Sequence, residues 1–248
     1  MQTQYFKEWS NCLNRDMEFI VYGHAGKPIL VLPSQNGKFS DYEGWGMIEP
    51  YRSRIEAGQV QVFSIDSMDG ETFDNKGGDL GHRMYMHEQW MHYITDEVYP
   101  RMMQINGSGM KAMVTGCSMG AYHAANVYFR RPDLFDKCLA QSGVYETKWL
   151  LTENPEYGDS NTYNNSPVLY LQNLPSDHYY MDLYRQGQCV IVVGQGAWDE
   201  ECLASTRDLD FICASKGIPV WFDYWGKDVN HDWPWWKVEL GYFLDKML

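Results

Sequence analysis

Short apolar runs alternate with longer helical patterns along this chain, and that alternation restricts the fold more than any other feature. The runs are MEFIVYGH (17–24), PILVLPS (28–34), VQVFSIDS (60–67), MKAMVTGCS (110–118), KCLAQSG (137–143), CVIVVGQG (189–196) and VWFDYWG (220–226). Most are apolar at nearly every position, the habit of strands buried on both faces. Helical patterns fall at about 46–57, 83–104, 119–131, 200–216 and 234–247. Strand and helix repeated in this order predict a doubly wound α/β sandwich with a mostly parallel central sheet and helices on both faces. A Gly-Lys turn separates the first two runs and predicts that they pair antiparallel. With 248 residues the chain suits a single domain, 1–248.

Residues 144–188 break the rhythm. The connection is about three times the usual length, polar, and rich in Asn, Pro and Tyr. It predicts a partly helical excursion over one end of the sheet, placed to cap a substrate pocket.

Composition narrows the function classes. Apolar residues make up 44% of the chain, enough for a large core. Thirty-three acidic residues against 20 Lys and Arg give a formal charge of −13. Such a surface repels phosphate backbones and anionic lipids, so neither nucleic acid nor a membrane is an expected partner. No run approaches the roughly 18 apolar residues that span a bilayer. The first residues lack the pattern of a secretory signal. Six cysteines are scattered without metal-ligand spacing, and Cys138 and Cys189 fall within apolar runs. A cytoplasmic protein with reduced thiols is therefore expected.

The chemistry concentrates around MVTGCSMGAYHAANVYF (113–129). Gly116-Cys117-Ser118-Met119-Gly120 matches G-x-S-x-G between a credible strand and a credible helix, the setting of a nucleophile elbow. The glycines let strand and helix pass closely, and Ala121, Ala124 and Ala125 are small enough to pack on the sheet. Cys117 is one position from the apex and reads as buried filler.

A serine hydroxyl needs a base, and the base needs an acid to fix its tautomer. The expected chain order is Ser, acid, His. Of the histidines beyond Ser118, His231 lies after the last strand and before the last helix, whereas His178 lies in the polar excursion and reads as a solvent or substrate-side residue. His123 is committed to the helix leaving the elbow. After CVIVVGQG the chain offers Asp199, Glu200 and Glu201; Asp199 is the first choice and Glu200 the second. Four acids in DSMDGETFDN (66–75) fit no standard calcium loop, so a solvated turn is expected there rather than a metal site.

GCSMGAYHA, GQGAWDE and NHDWPWW together resemble the putative-esterase branch of the α/β-hydrolases. That branch includes S-formylglutathione hydrolase (esterase D), acetyl-xylan and feruloyl esterases, and mycolyltransferases. The resemblance runs from about residue 17 to the C-terminus. It implies an α/β-hydrolase fold, with Ser118 as nucleophile, Asp199 or Glu200 as acid and His231 as base. It also implies an oxyanion hole made by the backbone N–H groups of Met119 and Gln35. Many relatives carry His-Gly or Asp-Gly before the second donor; here Pro33-Ser34 stand there, which leaves Asn36 as the alternative.

The implied activity is hydrolysis of a carboxylic ester with a small or medium acyl group, without metal or organic cofactor. The substrate would be a small-molecule ester such as an acylated carbohydrate. Tyr157, Tyr163, Tyr170, Tyr179 and Tyr180 of the excursion could stack on a sugar, although aromatics more often fill a core. Two alternatives share the fold: an acyltransferase that passes the acyl group to another alcohol, and a silent binding module.

Overall fold

A computed structural model describes residues 1–151 and 160–248. Among these residues eight strands form one sheet: β1 (Thr3–Ser10), β2 (Arg15–Tyr22), β3 (Lys27–Leu32), β4 (Val60–Ile65), β5 (Ala112–Cys117), β6 (Phe135–Gln141), β7 (Gln188–Val193) and β8 (Trp221–Tyr224). Their order across the sheet is β1-β2-β4-β3-β5-β6-β7-β8. The β1–β2 and β2–β4 pairs are antiparallel, and every later pair is parallel. The helices are α1 (Asp41–Gly44), α2 (Arg52–Glu56), α3 (Leu80–His92), α4 (Tyr99–Asn106), α5 (Met119–Arg130), α6 (Thr147–Leu151), α7 (Ser160–Asn164), α8 (Pro167–Gln172), α9 (Tyr180–Gln186), α10 (Glu200–Lys216) and α11 (Trp233–Met247).

Successive side chains of a strand point to opposite faces, so each apolar run feeds two cores. Ile29 and Val31 of β3 pack with Ile55 of α2 and with Trp236, Leu240 and Leu244 of α11. Leu30 and Leu32 point to the other side, into a core that also holds Trp90 of α3, Ala121, Ala124 and Ala125 of α5, and Leu209 of α10.

Several expectations need correction. The runs 17–24 and 28–34 lie in oppositely directed strands but do not pair, because β4 lies between β2 and β3. The turn joining them is packed against the residues leading into β4. Lys27 N–H donates to Gln59 O at 2.8 Å, and a Cβ on Gly26 (φ +94°) would fall 2.1 Å from the Gln59 carbonyl carbon. β1 escaped notice because its alternation is that of an edge strand, with Tyr5 and Trp9 exposed beside charged neighbours.

The helix expected over 46–57 starts only at Glu49, after Gly46 (φ +74°), as a 3₁₀ turn over Glu49–Tyr51 that runs into α2. The helix expected over 83–104 contains a π-helical segment at Tyr93–Val98. Pro100 follows it in the first turn of α4; a proline there cannot donate backward and would crowd the carbonyl four residues earlier, so the wider segment relieves the clash.

The excursion is partly helical, as expected, and α7, α8 and α9 pack on the body of the protein. Buried Asn165 pins it: its side chain bonds Asn126 of α5 at 2.8 Å and Glu88 of α3 at 2.8 Å, and its carbonyl accepts from Tyr122 Oη at 2.7 Å. Tyr157, with the rest of residues 152–159, lies outside the described residues.

Candidate active site

β5 delivers Ser118 at a strained apex. Its φ is +57° and ψ −123°, a conformation that costs a non-glycine residue about 1–3 kcal/mol. Three backbone bonds hold it: Ser118 N–H to Gln141 O (2.9 Å), and Ser118 O accepting from Ala121 (3.0 Å) and Tyr122 (3.3 Å). The flanking glycines are required sterically. A Cβ on Gly116 would lie 2.3 Å from Gly120 O, and one on Gly120 would lie 2.4 Å from Leu32 O. Neighbouring Cys117 is buried, and burial pushes its thiol well up, so it offers no thiolate.

The loops after β7 and β8 are zipped to each other. Gly196 N–H donates to Val229 O (2.8 Å), Ala197 N–H to Asn230 Oδ1 (2.8 Å) and His231 N–H to Ala197 O (3.0 Å). Glycine at 194 and 196 permits this approach, since a Cβ at either would lie within 2.5 Å of Val229 O. The zipper brings His231 between two partners. Its Nδ1 lies 2.8 Å from Asp199 Oδ1, and its Nε2 lies 2.9 Å from Ser118 Oγ. Asp199 is 1% exposed. Trp236 of α11 packs edge-on against the imidazole, with ring centroids 4.8 Å apart.

A cavity of about 500 Å³ opens onto these groups. Met119, Val144 and Leu150 give it an apolar wall; Lys76, Asp74, Glu200 and Glu201 give it polar edges; Trp198, 82% exposed, stands at its mouth. Gln35 lines it as well. Met119 is the first residue of α5, where a backbone N–H has no intrahelical acceptor. Asn36 N–H is already donated to Asp69 Oδ2 at 3.0 Å. Among the described residues no acceptor meets Gln35 N–H, so the loop leaves Gln35 rather than Asn36 with a free donor.

Glu200 is exposed at the start of α10 and does not meet His231. His178 bonds Tyr180 N–H and lies on a separate surface groove with Tyr170 and Tyr180. Neither Tyr163, Tyr170, Tyr179 nor Tyr180 lines the cavity among the described residues.

Sequence reasoning missed Cys202, whose Sγ lies 3.9 Å from His231 Nδ1 and donates to Ser142 O at 3.2 Å. Burial and the neighbouring Asp199 carboxylate push this thiol up. Asp199, Cys202 and His231 are also the only group of potential metal ligands this close together among the described residues. Two of the three are already hydrogen-bonded to each other.

The acid-rich segment 66–75 is not the solvated turn expected of it. Its acids turn to different partners: Asp66 accepts from Phe39 N–H, Asp69 from Asn36 N–H, Glu71 pairs with Arg15, and Asp74 accepts from the side chains of Gln35 and Asn36. Asp66 and Asp69 are buried.

The sheet order, the elbow and the loops at the strand ends define an α/β-hydrolase. The family model described as Putative esterase matches residues 10–245, and the chain belongs to that family of esterases. Similar solved structures include a ferulic acid esterase (TM-score 0.75, 16% identity, covering 99% of this chain and 96% of that one). An S-formylglutathione hydrolase from Agrobacterium tumefaciens is similar at TM-score 0.77 and 16% identity, over 99% of this chain and 94% of that one. Mycobacterium tuberculosis MPT51 (FbpC1) is similar at TM-score 0.77 and 13% identity, over 100% and 98%. At these identities the likeness establishes the fold. No curated protein sequence matches the chain.

Proposed function

We propose that the chain hydrolyses esters of small or medium acyl groups through an acyl-enzyme on Ser118. The observation that carries this reading is the unbroken line of hydrogen bonds from Asp199 Oδ1 through His231 to Ser118 Oγ, at 2.8 and 2.9 Å, beside a cavity. Ser118 Oγ attacks the ester carbon while His231 Nε2 takes its proton. Asp199 holds the Nδ1–H tautomer and stabilises the imidazolium that forms. The negative oxygen of the tetrahedral intermediate is held by the N–H groups of Met119 and Gln35, often the largest electrostatic contribution to such reactions. Collapse transfers the proton from His231 to the leaving alkoxide. Water then attacks the acyl-enzyme by the same route and releases the acid.

Cavity chemistry supports the substrate class. Met119, Val144 and Leu150 suit an acyl chain, and Val144 and Leu150 give the start of the excursion a role as its wall. The polar edge and exposed Trp198 suit a hydroxyl-rich alcohol part such as a sugar, whose ring can stack on an indole.

The test is Ser118→Ala, assayed on p-nitrophenyl esters of increasing chain length beside acetylated and feruloylated sugars. Loss of the nucleophile should cut turnover by about 10⁶ with the fold retained. Activity within tenfold of wild type would reject the assignment.

A further inference from the structure

We propose that Asp69 is a positioning residue, whose buried carboxylate, backed by His123, sets the spacing of the two oxyanion donors. The inference rests on the acyl-enzyme reading above. The two donors belong to separate elements: Met119 begins α5, and Gln35 lies in the loop after β3. That loop is exposed at Gln35 and Asn36, and Asn36 has φ +54°. Something must fix it relative to α5, because an error near 1 Å at a catalytic group costs about 10² in rate.

Asp69 makes the connection directly. Its Oδ2 accepts Asn36 N–H at 3.0 Å, and its Oδ1 meets His123 Nε2 at 3.1 Å. Asp69 is 1% exposed and His123 0%. His123 lies one helical turn beyond Met119 on α5, so the path from one donor to the other is a turn of helix, two hydrogen bonds and one peptide unit. Both partners of Asp69 can act as N–H donors, and a carboxylate supplies two separate acceptor oxygens between them. A buried charge is costly unless bonded in this way, so the carboxylate is specified by its partners rather than tolerated by chance.

Asp74 completes the hold from the cavity side. It accepts from Gln35 Nε2 and Asn36 Nδ2, and its own N–H donates to Asp69 O at 2.8 Å. Committing Asn36 N–H to Asp69 also leaves the neighbouring cavity-lining residue, Gln35, as the one of the two with an uncommitted N–H.

The experiment compares Asp69→Ala, Asp69→Asn and Ser118→Ala with wild type on one ester, measuring kcat, KM and the affinity of a trifluoromethyl ketone, which forms an oxyanion adduct. Deleting an oxyanion donor outright costs about 10²–10³, so displacing one in Asp69→Ala should lower kcat by about 10–100-fold. KM should stay within threefold, and ketone affinity should fall with kcat. Asp69→Asn keeps an acceptor for Asn36, but its N–H requires the His123 tautomer whose Nδ1–H is buried without an acceptor, so it should recover only part of the loss. A kcat within threefold of wild type in Asp69→Ala, or a fall with ketone affinity unchanged, overturns the inference. If Asp69→Ala does not fold, His123→Leu takes its place, with a fivefold or larger loss of kcat expected and an unchanged kcat overturning the proposal. An inactive Ser118→Ala beside a fully active Asp69→Ala rejects only the role of Asp69. An active Ser118→Ala rejects the reading beneath it.

Discussion

Asp199 and Glu200 are adjacent carboxylates with different surroundings. Asp199 is buried against His231 Nδ1, while Glu200 is the first residue of α10 and exposed. Asp199→Asn should therefore cut turnover by about 10⁴ with little change in KM, because an amide stabilises the wrong imidazole tautomer. Glu200→Gln should have a mild effect. The two variants assayed on one ester decide the point, and a dead Glu200→Gln beside an active Asp199→Asn would contradict the geometry. Ser118 and His231 were legible in the sequence because local motif and chain order constrain them together. Asp69 and His123 were not: they stand 54 positions apart, no spacing links them, and Asp69 sits among acids that look solvated.

The strands from β3 to β7 were readable because burial on both faces leaves runs apolar at nearly every position. Edge strand β1 and the neighbours of β2 were not, since strand order depends on crossovers that leave no local mark. Helices α5, α10 and α11 were predicted within a residue or so at each end, whereas Pro100 disturbed the pattern before it and the glycines at 44 and 46 the start of the pattern after them. Helix α11 also buries Glu239 against the sheet, where Oε2 accepts from Gln141 Nε2 at 2.9 Å. Burial, with the Asp199 carboxylate adding to it, raises this carboxyl to about 8. Its folded pKa thus lies above the ordinary 4.5, so between those values the folded state holds more protons than the unfolded. Stability from this group is lost as pH rises through that window. Glu239→Gln stays neutral throughout, and its Tm relative to wild type should rise between about pH 5 and about pH 8.5. A gap that is the same at both pH values would show that Glu239 does not titrate there.

Across the whole molecule, loops following β3, β5, β7 and β8 converge on one cavity at the C-terminal ends of parallel strands, where α/β sheets place their ligands. Rigid cores on both faces of the sheet hold those ends, and the glycines at 116, 120, 194 and 196 let the backbones close in. The central claim is that this convergence makes Ser118 a nucleophile activated by His231. It is tested most directly by treating the protein with a small fluorophosphonate and mapping the adduct by mass spectrometry. The account predicts one adduct per chain, on Ser118, formed orders of magnitude more slowly in His231→Ala. An adduct on another residue, or labelling of Ser118 at an unchanged rate in His231→Ala, would contradict it.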